Sequence, residues 1–191
     1  KAVWKAAGAC KDITAAHLQA VADLLEKQTG RYVKLPYGLT ATRVYNVIEI
    51  MGKRKETEKI CLPIDTDRLP ENLLAGEWKF SFKKFPYDGN TDKIPRKMYT
   101  KWFDYDKIKD SLAIRNRRKG DYFVLDAAGH HKKLEDYFVN EKIPASHRDE
   151  QLLLAGEDEI FWIVGGRMAY GTGISDATRW VLEITASNSS H

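Results

Sequence analysis

The sequence predicts an α+β chain in two parts: a small helix-plus-β-hairpin piece over residues 1–70, then a mixed-sheet domain with one main helix over residues 71–191. Three observations predict it. Apolar residues recur at helical spacing only near the N-terminus and again after His131. Short alternating or apolar runs, bounded by Gly, Pro and Asp-Gly signals, fill most of the rest. Between Gly52 and Leu74 the chain turns charged and irregular, so a boundary between modules falls in that interval.

The first helix spans Asp12 to Leu25, with Leu18, Val21, Leu24 and Leu25 on one face, Asp12 or Thr14 as cap and Gly30 as terminator. His17, in its first turn, reads as a surface or core-edge histidine because no second ligand lies near it in sequence. Tyr32 to Leu35, the turn Pro36-Tyr37-Gly38, and the Val- and Ile-rich run Arg43 to Ile50 predict a hairpin. Gly52 to Lys59 reads as a solvated loop. Leu62 to Pro70 reads as irregular, with Asp65-Thr66-Asp67 as turn chemistry rather than a metal site.

Glu77 to Phe85 alternates, with Trp78, Phe80 and Phe82 on one face and Lys79, Ser81 and Lys83 on the other, so it predicts a half-buried strand with a basic wet side. Asp88-Gly89-Asn90 is a turn, Tyr99 to Phe103 a short aromatic strand, and Asp104 to Lys107 a turn or short helix. Leu112 and Ile114 open one strand, Tyr122 and Phe123 another. Lys132 to Asn140 is helical through Leu134, Tyr137 and Phe138, and Pro144 stops it. Gln151 to Leu154 and Ile160 to Val164 form a hairpin around Gly156-Glu157-Asp158; Trp180 to Ile184 closes the sheet ahead of a polar tail. The five tryptophans read mostly as core.

Hydrophobic content of 43% with 11% aromatics supports a packed core and excludes global disorder. The net charge of +4 says less than its distribution. Asp92 to Lys133 holds twelve cations against six acids, while the remainder is slightly acidic, so the excess forms a patch. Cys10 and Cys61 lack the spacing of a zinc knuckle or redox pair, and two thiols in such a chain fit a reducing, cytoplasmic setting. No apolar run is long enough to cross a bilayer, so no membrane partner is expected.

The patch centres on Arg115, Arg117, Arg118 and Lys119, followed by Lys132 and Lys133 at the start of the second helix. Lysines there oppose the helix dipole, and with free backbone N–H groups they make a seat for phosphate. Strand alternation places Arg115 and Arg117 on one face and Arg118 on the other. Arg148-Asp149 reads equally as an ion pair holding a turn or as an RNA contact; Arg167, after Gly165-Gly166, is similar. The expected binding set for a polyanion is therefore Arg115, Arg117, Arg118, Lys132, Lys133, Arg148 and Arg167, with no catalytic, cofactor-binding or metal-ligating residues. His130 and His131 read as loop.

Several of these residues also carry a family likeness. Lys11-Asp12-Ile13-Thr14 with His17, Thr29-Gly30, Leu35-Pro36-Tyr37-Gly38 and Tyr45 resemble the middle of tRNA(Ile)-lysidine synthase. Arg115-x-Arg117-Arg118-x-Gly120-Asp121-Tyr122, Lys132-Lys133-Leu134, Lys142-Ile143-Pro144, Arg148-Asp149, and Trp162 with Gly165 and Arg167 resemble its C-terminal domain. The sequence departs at Ala169, where the family tends to carry serine.

The resemblance implies a ligase that uses ATP to adenylate the wobble cytidine of an isoleucine tRNA (CAU anticodon) and then couples lysine to it. It also implies a C-terminal domain that engages the tRNA acceptor stem, with a fold related to part of the phenylalanyl-tRNA synthetase β chain. The family's Ser-Gly-Gly-x-Asp-Ser motif does not occur here. The expectation is a catalytically inactive fragment that grips tRNA and holds no cofactor, with ATP and magnesium belonging to an N-terminal domain outside it. The rival readings are an RNA-binding module of another RNA-processing protein, a dimerisation domain with an idle basic surface, and a hydrolase built on His130, His131, Asp121 and Asp126.

Overall fold

The computed structural model describes residues 12–52, 59–108 and 111–188, with Ser146 described by its backbone alone. The readings placed on Lys11, on Cys10 and on most of the Gly52–Lys59 loop lie outside these residues. The chain divides into two compact units, Lys1–Thr57 and Glu58–His191.

In the first unit, helix α1 (Ala15–Asp23) starts after Thr14 and runs into a single 3-10 turn, Leu24–Glu26. The Thr14 N–H donates to His17 Nδ1 at 3.2 Å, so His17 satisfies a backbone donor at the helix start. Asp12 is not the cap; its carboxylate accepts from the Tyr37 hydroxyl at 2.9 Å. Strands β1 (Tyr32–Lys34), β2 (Thr40–Val44) and β3 (Val47–Met51) form an antiparallel sheet in that order. The expected long arm Arg43–Ile50 is thus two strands. Tyr45 at φ 49° turns the chain between them, a turn that no glycine announces. Val21, Leu24, Leu35, Leu39 and Ala41 pack as this unit's core.

The second unit is built on two four-stranded antiparallel sheets. One has the order β12-β11-β8-β4, from β4 (Cys61–Ile64), β8 (Leu112–Arg115), β11 (Leu153–Ala155) and β12 (Ile160–Ile163). The other has the order β5-β6-β13-β7, from β5 (Asn72–Ala75), β6 (Trp78–Pro86), β7 (Thr100–Asp104) and β13 (Trp180–Asn188). Residues 59–64, read from the sequence as part of the first piece, pair into this unit through β4 and β8. Pro63 hides that strand from a reading by propensity, yet an edge strand tolerates its missing N–H. The closing strand is also longer than expected: Ala186 to Asn188, read as tail, continue the ladder with β6.

Between the two sheets lies the larger core, with Phe80, Phe82, Phe103, Ile114, Trp162 and Leu182 among its buried members. A second core covers the opposite face of β11 and β12, where Leu153, Ala155, Ile160 and Ile163 meet Phe123 and Phe138. Strands buried on both faces read as continuous apolar runs, as Leu152 to Ala155 and Ile160 to Val164 do. The register shifts by one residue between Leu154 and Ala155, opposite Phe161. This bulge lets Phe161 and Trp162, adjacent in sequence, both serve the first core.

Over the second core sit a two-stranded ribbon, β9 (Tyr122–Val124) with β10 (His131–Lys133), and helix α3 (Leu134–Asn140). Short helices α2 (Tyr105–Ile108) and α4 (Ala145–Arg148) complete the unit. No described helix is long and apolar enough to cross a membrane.

Candidate nucleic-acid interface

The basic run Arg115 to Lys119 leaves the end of β8 and turns back into β9. Its first member is not a surface residue. Arg115 is 1% exposed and gives two 2.8 Å hydrogen bonds to Asp121, one from each terminal nitrogen, and a third of 2.7 Å to the Glu157 carbonyl. Asp121 also accepts from the Arg118 backbone N–H at 2.7 Å, so one carboxylate ties the strand end and the turn together. This corrects the expectation that Arg115 meets a polyanion: its charge is consumed inside the domain. Alternation could not have shown it, because β8 ends at Arg115 and the following residues form the turn.

Arg117 is half-buried between two acids. Its Nη2 lies 2.7 Å from Asp149 and its Nη1 3.7 Å from Glu135. Arg148 does not pair with its neighbour Asp149; its Nε donates to the Ile143 carbonyl at 2.8 Å, closing the loop after α3. Sequence adjacency misassigned that partner.

Lys132 and Lys133 stand in β10 rather than in the first turn of a helix; α3 begins at Leu134. Its first turn carries Glu135 and Asp136, the sign the dipole favours. Lys132 faces Phe123 across the ribbon and Lys133 faces Tyr122. Successive strand residues alternate faces, so Lys132 lies on the core side, where its ammonium meets the Asn140 side-chain amide. Lys133 is exposed on the other side with His131, whose ring rests 5.1 Å from that of Tyr122. Arg167 is exposed, its guanidinium 5.5 Å from the Phe123 ring.

Backbone bonds gather part of this set. The Leu134 N–H donates to the Asp121 carbonyl at 2.9 Å, seating Lys133 beside the turn that carries Arg118, Lys119 and Gly120. Gly120 adopts φ 99°, which lets this tight turn form between two strands. Arg118, Lys119 and Lys133 are exposed, and none of them enters an ion pair among the described residues. Lys119 is the member the expected set omits; its signal is its place one residue before a turn glycine. Arg118 also donates to the Cys61 thiol at 2.9 Å, which restrains its side chain. Lys132 and Arg167 belong to the Phe123 side instead.

Two titrations mark the surroundings. Tyr137, whose ring packs edge-on against Phe123, is pushed above its ordinary 10.0 by burial first and by Glu141 second, with Arg167 pulling the other way. Asp126 is held below 3.8, chiefly by its hydrogen bond with His130 on the exposed loop between β9 and β10. Asp121 is locked under Arg115 and His131 leans on Tyr122, so the four groups of the hydrolase reading do not share one site. Ala169 is buried in the second core, where a serine hydroxyl would lie among apolar side chains.

A pair of antiparallel sheets with a helix and ribbon over one face defines the class: an α+β domain that carries an exposed basic turn. Residues 112–184 match the family model of the TilS substrate C-terminal domain. The chain resembles the tRNA(Ile)-lysidine synthase of Caldanaerobacter subterraneus subsp. tengcongensis, with 34% identity over 88% of this chain and 36% of that protein. The Clostridium perfringens protein of the same name is 29% identical over 97% of this chain and 41% of its own length. The chain thus spans well under half the length of these curated relatives. A solved TilS C-terminal domain shares the fold, at TM-score 0.51 and 19% identity, over 69% of this chain and 98% of that one.

Proposed function

We propose that this chain is the tRNA-recognition portion of a tRNA(Ile)-lysidine synthase, the ligase that joins lysine to the wobble cytidine of isoleucine tRNA bearing the CAU anticodon. In this reading the exposed turn Arg118–Gly120 and the adjacent Lys133 engage the backbone of the acceptor stem. Arg117 and Arg148 have part of their donor capacity already committed, and Lys132 and Arg167 lie on the Phe123 side. ATP and magnesium belong to the catalytic domain of the whole enzyme, and the setting is cytoplasmic. The observation that carries the reading is the coincidence of the family-matched segment with the solvent-open cations: Arg118, Lys119 and Lys133 all lie within residues 112–184.

Duplex RNA offers shape, phosphates and 2′-hydroxyls more than readable base edges, and an exposed basic turn suits those features. The test is a titration of the chain with an acceptor-stem minihelix at several salt concentrations. Neutralising about four phosphates predicts a loss of roughly two decades in affinity between about 50 and 200 mM salt. Binding that is absent, or indifferent to salt, rejects the reading.

A further inference from the structure

We infer that the recess between the Trp78–Tyr99 ring pair and the segment His147–Leu152 is a seat for one unpaired nucleobase, a deepening that rests on the RNA-binding reading above. The recess has a volume of about 290 Å³ and is lined by Trp78, Tyr99, His147, Glu150, Gln151 and Gly165 among others. That volume lies at the low end for small-molecule sites and suits one nucleoside better than a larger ligand.

Its wall is aromatic. The Trp78 and Tyr99 rings lie 5.3 Å apart, and Tyr99 is 41% exposed although its neighbours in β7 are half-buried or buried. Tyr99 can lie there because residue 165 is glycine. A Cβ on Gly165 would come within 2.7 Å of the Tyr99 ring, and its φ of 76° is one that L side chains rarely adopt. The floor is fixed, since the Gln151 side-chain amide donates to the carbonyls of Leu152 at 3.1 Å and Val164 at 2.9 Å.

The rim is polar and exposed, with His147 and Glu150 one helical turn apart. Between them in sequence stands Arg148, of whose guanidinium only Nε is committed to a described partner. An aromatic face beside a carboxylate is wrong for a phosphate and right for a base. The ring stacks on any base, and the carboxylate accepts N–H groups from its edge. Guanine fits best, because N1–H and the N2 amino group present two donors to the two carboxylate oxygens. Sequence order conceals the recess, because its lining comes from four separate stretches.

The test uses the chain with two minihelices, one blunt and one carrying a single-stranded 3′ extension, and with GMP and UMP as minimal probes read by tryptophan fluorescence. The extension should tighten binding about tenfold, the gain from stacking one base. Y99A should remove that gain and leave blunt-duplex binding intact, while Y99F keeps it. E150Q, at an exposed position, should erase the preference for GMP over UMP. An extension without benefit, or a benefit that survives Y99A in a folded protein, overturns the seat while leaving the duplex grip standing. GMP binding without duplex binding keeps the seat and rejects the grip. If neither probe binds, both fall.

Discussion

Asp121 clasps the Arg115 guanidinium through two 2.8 Å hydrogen bonds at the end of β8, with both side chains 1% exposed. A bidentate pair of this kind gives geometric definition as well as energy. It holds the strand end, the basic turn and the start of β9 in one arrangement. Removing the acid alone leaves a buried cation without its counter-charge. D121A should therefore cost about 3–5 kcal/mol of stability in urea denaturation. The joint replacement R115M/D121L should recover most of the loss, since no charge is then stranded. Near-wild-type stability of D121A would show that the pair does not organise the turn.

The exposed cations give a different readout. R118A with K133A should weaken binding of unrelated tRNAs to a similar degree and reduce the salt slope by about one per lost phosphate contact. R117A should change the slope less, because Arg117 already faces Asp149 and Glu135. Equal slopes for the double variant and the parent would remove Arg118 and Lys133 from the interface.

Acid pH should be felt at Asp126. Its carboxyl is held below 3.8, first by the His130 hydrogen bond, so the contribution of this loop is present above the unfolded value and is lost as pH falls through the folded one. Carboxyl chemical shifts followed by NMR should give a depressed midpoint that returns toward 3.8 in H130A. A midpoint unchanged in that variant would break the link between the two residues.

Tyr137 provides the alkaline counterpart. Burial and then Glu141 raise its phenol above 10.0, while Arg167 lowers it. Stability from the buried neutral phenol is complete below the unfolded value and is lost as pH rises through the folded one. Ultraviolet titration of R167A should place the Tyr137 transition higher than in the parent chain. A transition moved downward would put Arg167 elsewhere than beside the Phe123–Tyr137 pair.

Gly165 should tolerate nothing larger. G165A combines a left-handed backbone with a methyl 2.7 Å from a Tyr99 ring carbon, so a loss of about 1–3 kcal/mol in thermal or urea unfolding is expected. A neutral substitution would mean that Tyr99 moves aside freely.

Strand β6 was legible in the sequence because one of its faces is wet. Trp78, Phe80 and Phe82 alternate with Lys79, Ser81 and Lys83, and that alternation is β6. The α1 stripe and the hairpin of β11 and β12 were equally open to inspection. Strand β4 was not, because Pro63 argues against pairing and only the edge position beside β8 permits it. The split at Tyr45 was hidden for a related reason: its positive φ is a choice of the folded hairpin, with no glycine to signal it.

The candidate site divides in the same way. Composition and order alone determined that residues 92–133 carry an excess of positive charge, and motifs spread from Lys11 to Arg167 carry the resemblance to one family of tRNA-modifying enzymes. Tertiary structure decided which cations are available. A charge is counted in sequence, but it is neutralised or left open only by what packs against it, and the partners of Arg115, Arg117 and Arg148 are set by how β8, β9 and α3 meet. The recess beside Tyr99 shows the same principle from the other side. Its residues are distant in sequence and become one surface only when two sheets and a loop converge.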